Sequence, residues 1–196
     1  MRQIYSVVLS IAAFWGLSTP VWAHTGVLPA TGLSDGFLHP FMGLEHSLVM
    51  LGVGLLAATQ PWVVAKKIVL VFLAAMLAGA SLGLYGVQFA YVETAILLSL
   101  MVIGGLLLVN QLTLSNAVIT ALVGGSGLMH GLAHGSEIPS TASAYAYLVG
   151  MLSATVLLHG LGLSLGKRLN RGYAKLLLRV YGIATGVLGA GLLLTA

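Results

Sequence analysis

Six stretches of the chain are nearly unbroken runs of apolar side chains, at about 37–58, 67–86, 90–109, 115–134, 142–166 and 174–195. Each approaches the roughly 20 residues that a helix needs to cross the hydrocarbon of a bilayer. Polar punctuation falls between them. Gln60-Pro61 with Lys66-Lys67 ends the first run, Asn110-Gln111 ends the third, and Ser136-Glu137-Ile138-Pro139-Ser140 separates the fourth from the fifth. Lys167-Arg168, Arg171 and Lys175 precede the last. A shorter apolar core, about Ile4 to Leu17, follows Arg2 and is succeeded by Ser18-Thr19-Pro20-Val21-Trp22-Ala23. A basic start, a short apolar core and small residues before a cut after Ala23 describe a secretory signal. The expected fold is all-α: a polytopic membrane protein of six transmembrane helices after a cleavable signal peptide, residues 1–23, with residues 24–196 as one transmembrane domain.

Composition agrees with this pattern. Of the 196 residues, 59% are hydrophobic and 6% charged, and mean hydropathy is +1.05, whereas soluble domains carry about 25% charged residues. The net charge of +4 does not indicate a nucleic-acid partner, because the basic residues cluster between apolar runs as orienting charge. With the mature N-terminus outside, Lys66, Lys67, Lys167, Arg168, Arg171 and Lys175 all fall at the inner face and the outer loops hold no Lys or Arg. That is the positive-inside arrangement, and it predicts a bacterial inner-membrane protein with a periplasmic N-terminus. Cysteine is absent, so disulfides, thiolate ligands and iron–sulfur clusters are excluded. No GxxxxGK[ST] motif is present, so an ATP-driven motor would be a separate subunit. Most of the 26 glycines lie within the apolar runs, where small residues let helices approach closely, as at Gly182-x-x-x-Gly186.

Polar residues inside the runs are costly in a membrane and mark function. The first run begins His39-Pro40-Phe41-Met42-Gly43-Leu44-Glu45-His46-Ser47-Leu48-Val49-Met50. On one continuous helix, His39, Met42, His46 and Met50 fall along a single stripe, with Glu45 about a quarter-turn aside. His46 would then lie near mid-membrane, about ten residues into its helix at roughly 1.5 Å each. In the fourth run, His130 and His134 share a helix face at i and i+4, followed by Glu137. His159 lies towards the inner end of the fifth. The histidines are thus expected to spread from one face of the membrane to the other. Neutral imidazole is the commonest protein metal ligand, so the group reads as a path for a metal ion. After cleavage, His24 would be the N-terminal residue, able to close a chelate through its amine and ring. Asp35 caps the first helix or gathers cations at its mouth. Glu93 opens the third run, where a carboxylate complements the helix dipole, and capping is preferred to ligation. Met42, Met50 and Met129 offer thioethers, although methionine commonly fills gaps in cores. A weak echo between Gly43-Leu44-Glu45-His46-Ser47-Leu48 and Gly127-Leu128-Met129-His130-Gly131-Leu132 has the form of an inverted repeat.

These residues carry a resemblance. The chain resembles the HupE/UreJ family, small membrane proteins regarded as nickel permeases that supply hydrogenase or urease, some members being assigned to cobalt. One family motif, His, five residues, Asp, His, appears here as His39, five residues, Glu45, His46. The other, Phe-His-Gly-x-Ala/Val-His-Gly-x-Glu, appears as Met129-His130-Gly131-Leu132-Ala133-His134-Gly135-Ser136-Glu137. Glu45 replaces an Asp and Met129 a Phe. The first change lengthens the carboxylate by one methylene, and the second puts a soft sulfur beside a ligand.

The expected function is transport of a divalent transition metal ion, nickel or cobalt, inward from the periplasm. His24, Asp35 and Glu137 would capture the ion, His39, His130 and His134 receive it, Glu45 and His46 pass it on, and His159 release it. Nickel or cobalt is then the substrate, no cofactor is implied, and the partners are the ion and the bilayer, a homo-oligomer being compatible with the sequence. Ligand type does not rank these ions, since affinity follows a general order up to copper, so nickel over cobalt rests on the resemblance. The rivals are an intramembrane zinc enzyme, with three ligands and an open position, a haem-binding electron carrier, and a metal-binding accessory or assembly protein. No HExxH motif supports the first, and no enzymatic activity is expected.

Overall fold

The computed structural model describes residues 32–109, 114–138, 140, 142–168 and 171–195, and their regular structure is entirely helical. The signal peptide expected at residues 1–23 and the candidate ligand His24 lie outside the described residues. Among the described residues seven helices follow one another: α1 (Leu33–Met42), α2 (Leu44–Ala58), α3 (Trp62–Leu84), α4 (Val92–Leu108), α5 (Asn116–Ser136), α6 (Ala144–Arg168) and α7 (Arg171–Thr195).

The first apolar run departs most from the expectation. It is two helices, α1 and α2, bent by 87° at Gly43. Pro40 lies inside α1, where it has no N–H to give the preceding turn, and Gly43 takes an extended conformation, φ −99° and ψ 120°. The Ser47 hydroxyl donates to the Pro40 carbonyl at 2.5 Å and ties the two arms together. Bulk also favours glycine here. A Cβ on Gly43 would lie 2.5 Å from both Glu45 Oε1 and His46 Nδ1, so those side chains fold back over the bend only because position 43 is bare.

Among the described residues, four helices are long and apolar enough to cross a membrane: Trp62–Leu84, Asn116–Ser136, Ala144–Arg168 and, within α7, Lys175–Thr195. The bent pair makes a fifth if taken as one span, and α4 is a shorter apolar helix of 17 residues. Several helices extend past the expected bounds because Lys66, Lys67, Lys167 and Arg168 continue them. Lys and Arg are good helix formers whose stems lie along apolar surface while their charges reach water. At this end, Lys167 Nζ lies 4.5 Å and Lys66 Nζ 5.6 Å from the Trp62 ring centroid. At the other end, α3 closes in a Schellman motif. Val87 N–H bonds Leu82 O at 3.0 Å, Gly86 N–H bonds Gly83 O at 2.9 Å, and Gly86 holds the required positive φ of 84°.

Packing follows the glycines. The most extensive contact is α3 on α5; α4 packs on α7, and α1 and α2 pack on α6. A Cβ at Gly127, Gly131 or Gly135 would strike the backbone carbonyl of Phe72, Met76 or Ala80. The register rises together on both helices, so α3 and α5 run parallel. Because lipid is as apolar as the core, such contacts act through dispersion between closely fitted surfaces rather than through exclusion of water. Phe72, Met50, Leu55, Leu56, Ile68 and Met76 are fully buried at the centre, while Leu70, Val187 and Leu194 face outward.

Candidate metal centre

Polar side chains converge at the end of the bundle where α5 finishes and α6 begins. The bend brings His39, on α1, back towards His46, in the first turn of α2, with ring centroids 6.3 Å apart. The expected stripe along one helix is therefore replaced by two imidazoles facing each other across a corner. Met42 lies on the exposed side of that corner, away from them. His134 is the hub: its ring lies 4.6 Å from His39 and 4.7 Å from His46. His130, one turn earlier, lies 5.1 Å from His46. Instead of spreading through the membrane, four of the histidines gather at one end, because the break at Gly43 leaves His46 one helical turn from the mouth.

Carboxylates flank the cluster. His39 Nε2 lies 3.2 Å from Glu137 Oε2, and Glu137 caps the C-terminus of α5. The hydrogen bond from His39 holds the Glu137 carboxyl below the ordinary carboxylate range, outweighing the opposing effect of partial burial. His39, His134 and Glu137 each offer a ligand atom, and these atoms all lie within 4.8 Å of one another. On the other side, His46 Nδ1 lies 2.8 Å from Glu45 Oε1, leaving Nε2 directed away from the carboxylate. Tyr147, at the start of α6, closes the site with its ring 5.8 Å from His39.

Ring nitrogens supply the decisive observation. His130 Nδ1 lies 2.8 Å from Ser126 O and His159 Nδ1 lies 2.7 Å from Thr155 O. A carbonyl only accepts, so each Nδ1 carries the proton and, in the neutral ring, each Nε2 keeps a lone pair, the arrangement that prepares a histidine for a metal. The Nε2 atoms of His46, His130 and His159, and both ring nitrogens of His134, are buried without a hydrogen-bond partner. A buried polar group left unpaired costs about 1–3 kcal/mol. Five such atoms in one interior point to a ligand that satisfies them.

The remaining expected residues divide. Asp35 accepts from the Gly32 N–H at 3.4 Å at the start of α1, which is its capping role. Glu93 stands in the first turn of α4, outside the cluster. His159 lies deeper, its ring 4.9 Å from Phe72. Met50 is fully buried, with its sulfur 3.4 Å from the Thr155 hydroxyl; Met129 is only partly buried. Sequence reasoning missed Phe72, Met76 and Thr155. The first two sit in unmarked apolar sequence, and Thr155 acts partly through a backbone carbonyl, which no residue pattern signals.

The comparisons with known proteins bear on this geometry. The chain matches the family model described as HupE / UreJ protein over residues 12–192. It is 37% identical over 193 residues, 96% of this chain and 98% of the relative, to Protein HupE of Rhizobium leguminosarum bv. viciae. No solved structure matches the chain.

Proposed function

Since the chain belongs to the HupE/UreJ family, we propose that it is a permease for a divalent transition metal ion, nickel or cobalt, carried inward across the bacterial inner membrane by six membrane crossings after a cleaved signal. In this reading α1 and α2 form one broken crossing, and α4, though short, is another. The observation that carries the proposal is the set of unpartnered buried ring nitrogens on His46, His130 and His134, gathered beside Glu45, Glu137 and His39. Glu137 and His39 stand at the more exposed side, with side chains 48% and 28% accessible, and receive the ion first. His134 and His46 hold it next, and His130 lies inward of them. Nitrogen and carboxylate oxygen without thiolate suit nickel and cobalt and give a site that binds yet releases, as conduction requires.

Gathering of the histidines also satisfies the ligand count of a zinc enzyme. Membership of the HupE/UreJ family favours transport. The test is accumulation of radiolabelled nickel and cobalt in cells expressing the protein, each with the other as competitor. His46→Ala and His134→Ala should each lower uptake by about tenfold or more, the scale on which metal-site changes act, while the protein still reaches the membrane. Normal accumulation in both variants would refute the proposal, as would tightly held stoichiometric zinc in the purified protein without transport.

A further inference from the structure

His159 is set apart from the cluster. It is 1% exposed on α6, its Nδ1 is fixed by Thr155 O, and its Nε2 has no partner. Among the described residues, its ring contact is with Phe72 of α3, at 4.9 Å. The same Phe72 ring lies 6.0 Å from His130 and is fully buried. The register of the parallel helices fixes its depth: Ala80 lies against Gly135, Met76 against Gly131 and Phe72 against Gly127. Phe72 is thus two turns inward of the level of His134.

We propose that Phe72 is the gate of the permeation path, a side chain that separates the outer imidazole cluster from an inner transit site at His159 for the same divalent transition metal ion. The inference rests on the permease reading. The phenyl ring lies against both His130 and His159 and offers no lone pair, so on this proposal an ion passing from one imidazole to the other meets it. A dry apolar constriction between two liganding stations stops a hydrated or partly hydrated ion until the side chain moves. The backbone cannot supply that movement, since the Phe72 carbonyl is pressed against Gly127. The side chain can, because its neighbours yield. The Thr155 hydroxyl lies 3.4 Å from the Met50 sulfur and 3.8 Å from the Met76 sulfur, so two unbranched, adaptable side chains adjoin the partition. Met76 stands one turn from Phe72 on α3, and Thr155 one turn from His159 on α6. Those thioethers also give a departing ion a brief soft contact.

The experiment combines initial uptake rates of labelled nickel and cobalt in cells with cobalt titration of the detergent-purified full chain, followed by absorption. Phe72→Leu should raise the initial rate by about threefold or more and weaken the preference for nickel and cobalt over manganese, because a dry constriction also discriminates. Phe72→Trp should lower the rate by about tenfold, and both should keep the wild-type affinity of the outer cluster for cobalt, since neither removes a ligand there. His159→Gln should lower uptake by about tenfold with that outer affinity unchanged. Wild-type rates and selectivity in folded Phe72→Leu protein overturn the gate, and wild-type uptake in His159→Gln overturns the inner site. If Phe72→Trp fails to fold, Phe72→Leu decides. If the wild-type chain neither binds cobalt nor raises accumulation, the permease reading fails and the gate falls with it, a result distinct from a transporting wild type whose variants are indifferent.

Discussion

Glu45 and His46 show how one residue conditions another. The carboxylate lies 2.8 Å from His46 Nδ1, so in the neutral ring it fixes the proton on that nitrogen and turns Nε2 towards His134 and His130. Orienting the His46 ring accounts for a carboxylate at position 45 without requiring it to touch the ion. The Glu45 side chain has room for its full length because it folds back over a bare Gly43. Glu45→Gln should therefore weaken cobalt binding by the purified protein by about 10–100-fold, chiefly because the amide does not supply a negative charge to the imidazole. Glu45→Asp should retain more of the affinity than Glu45→Gln. Equal losses in the two variants would show that length, not charge, is what matters at this position.

Among the elements, the corner between α1 and α2 does the most to form the site. Without the break, the seven-residue step from His39 to His46 would put His46 about 10 Å further along the same helix, too far from His39 to share a ligand. Bending by 87° folds that separation into a pair of rings 6.3 Å apart. Gly43→Ala tests the corner. The added methyl would meet Glu45 Oε1 and His46 Nδ1 at 2.5 Å, so the pair must swing away. Cobalt affinity should fall by about tenfold while thermal stability changes little, because no core residue is touched. Unchanged affinity would show that the pair has another resting place. The sequence carried the ligands but concealed this corner. Helical content, the apolar runs and the family motifs were legible because they are local: periodicity, length and spacing. Pro40 and Gly43 were visible too, yet an apolar run with one proline and one glycine is compatible with a straight or kinked span, and only tertiary contact with α5 and α6 favours the sharp bend. The same limit applies to Phe72. Nothing within an unbroken apolar run distinguishes a phenylalanine facing two histidines from one facing lipid.

At the scale of the whole molecule, the two ends differ in chemistry, and on the permease reading that difference orients the path. The cluster and Glu137 lie where α3 ends, since a Cβ on Gly83 would meet the Ser136 backbone; Tyr85, 86% exposed, follows directly. At the opposite end Lys66 and Lys167 flank Trp62, and Ala58 meets Gly166. If those lysines face the cytoplasm, the cluster opens to the periplasm and the ordered passage from Glu137 and His39 through His134 and His130 to His159 runs inward. The natural absence of cysteine makes this testable by single introduced thiols. Tyr85→Cys should react with a membrane-impermeant maleimide in intact cells, whereas Thr59→Cys, on the lysine side, should react only after the membrane is opened. The reversed pattern would place the cluster in the cytoplasm. The same residues would then collect metal from inside, and the mechanism would have to be rewritten as export, because the asymmetry between a carboxylate-rimmed mouth and a single buried inner imidazole gives the path its sense.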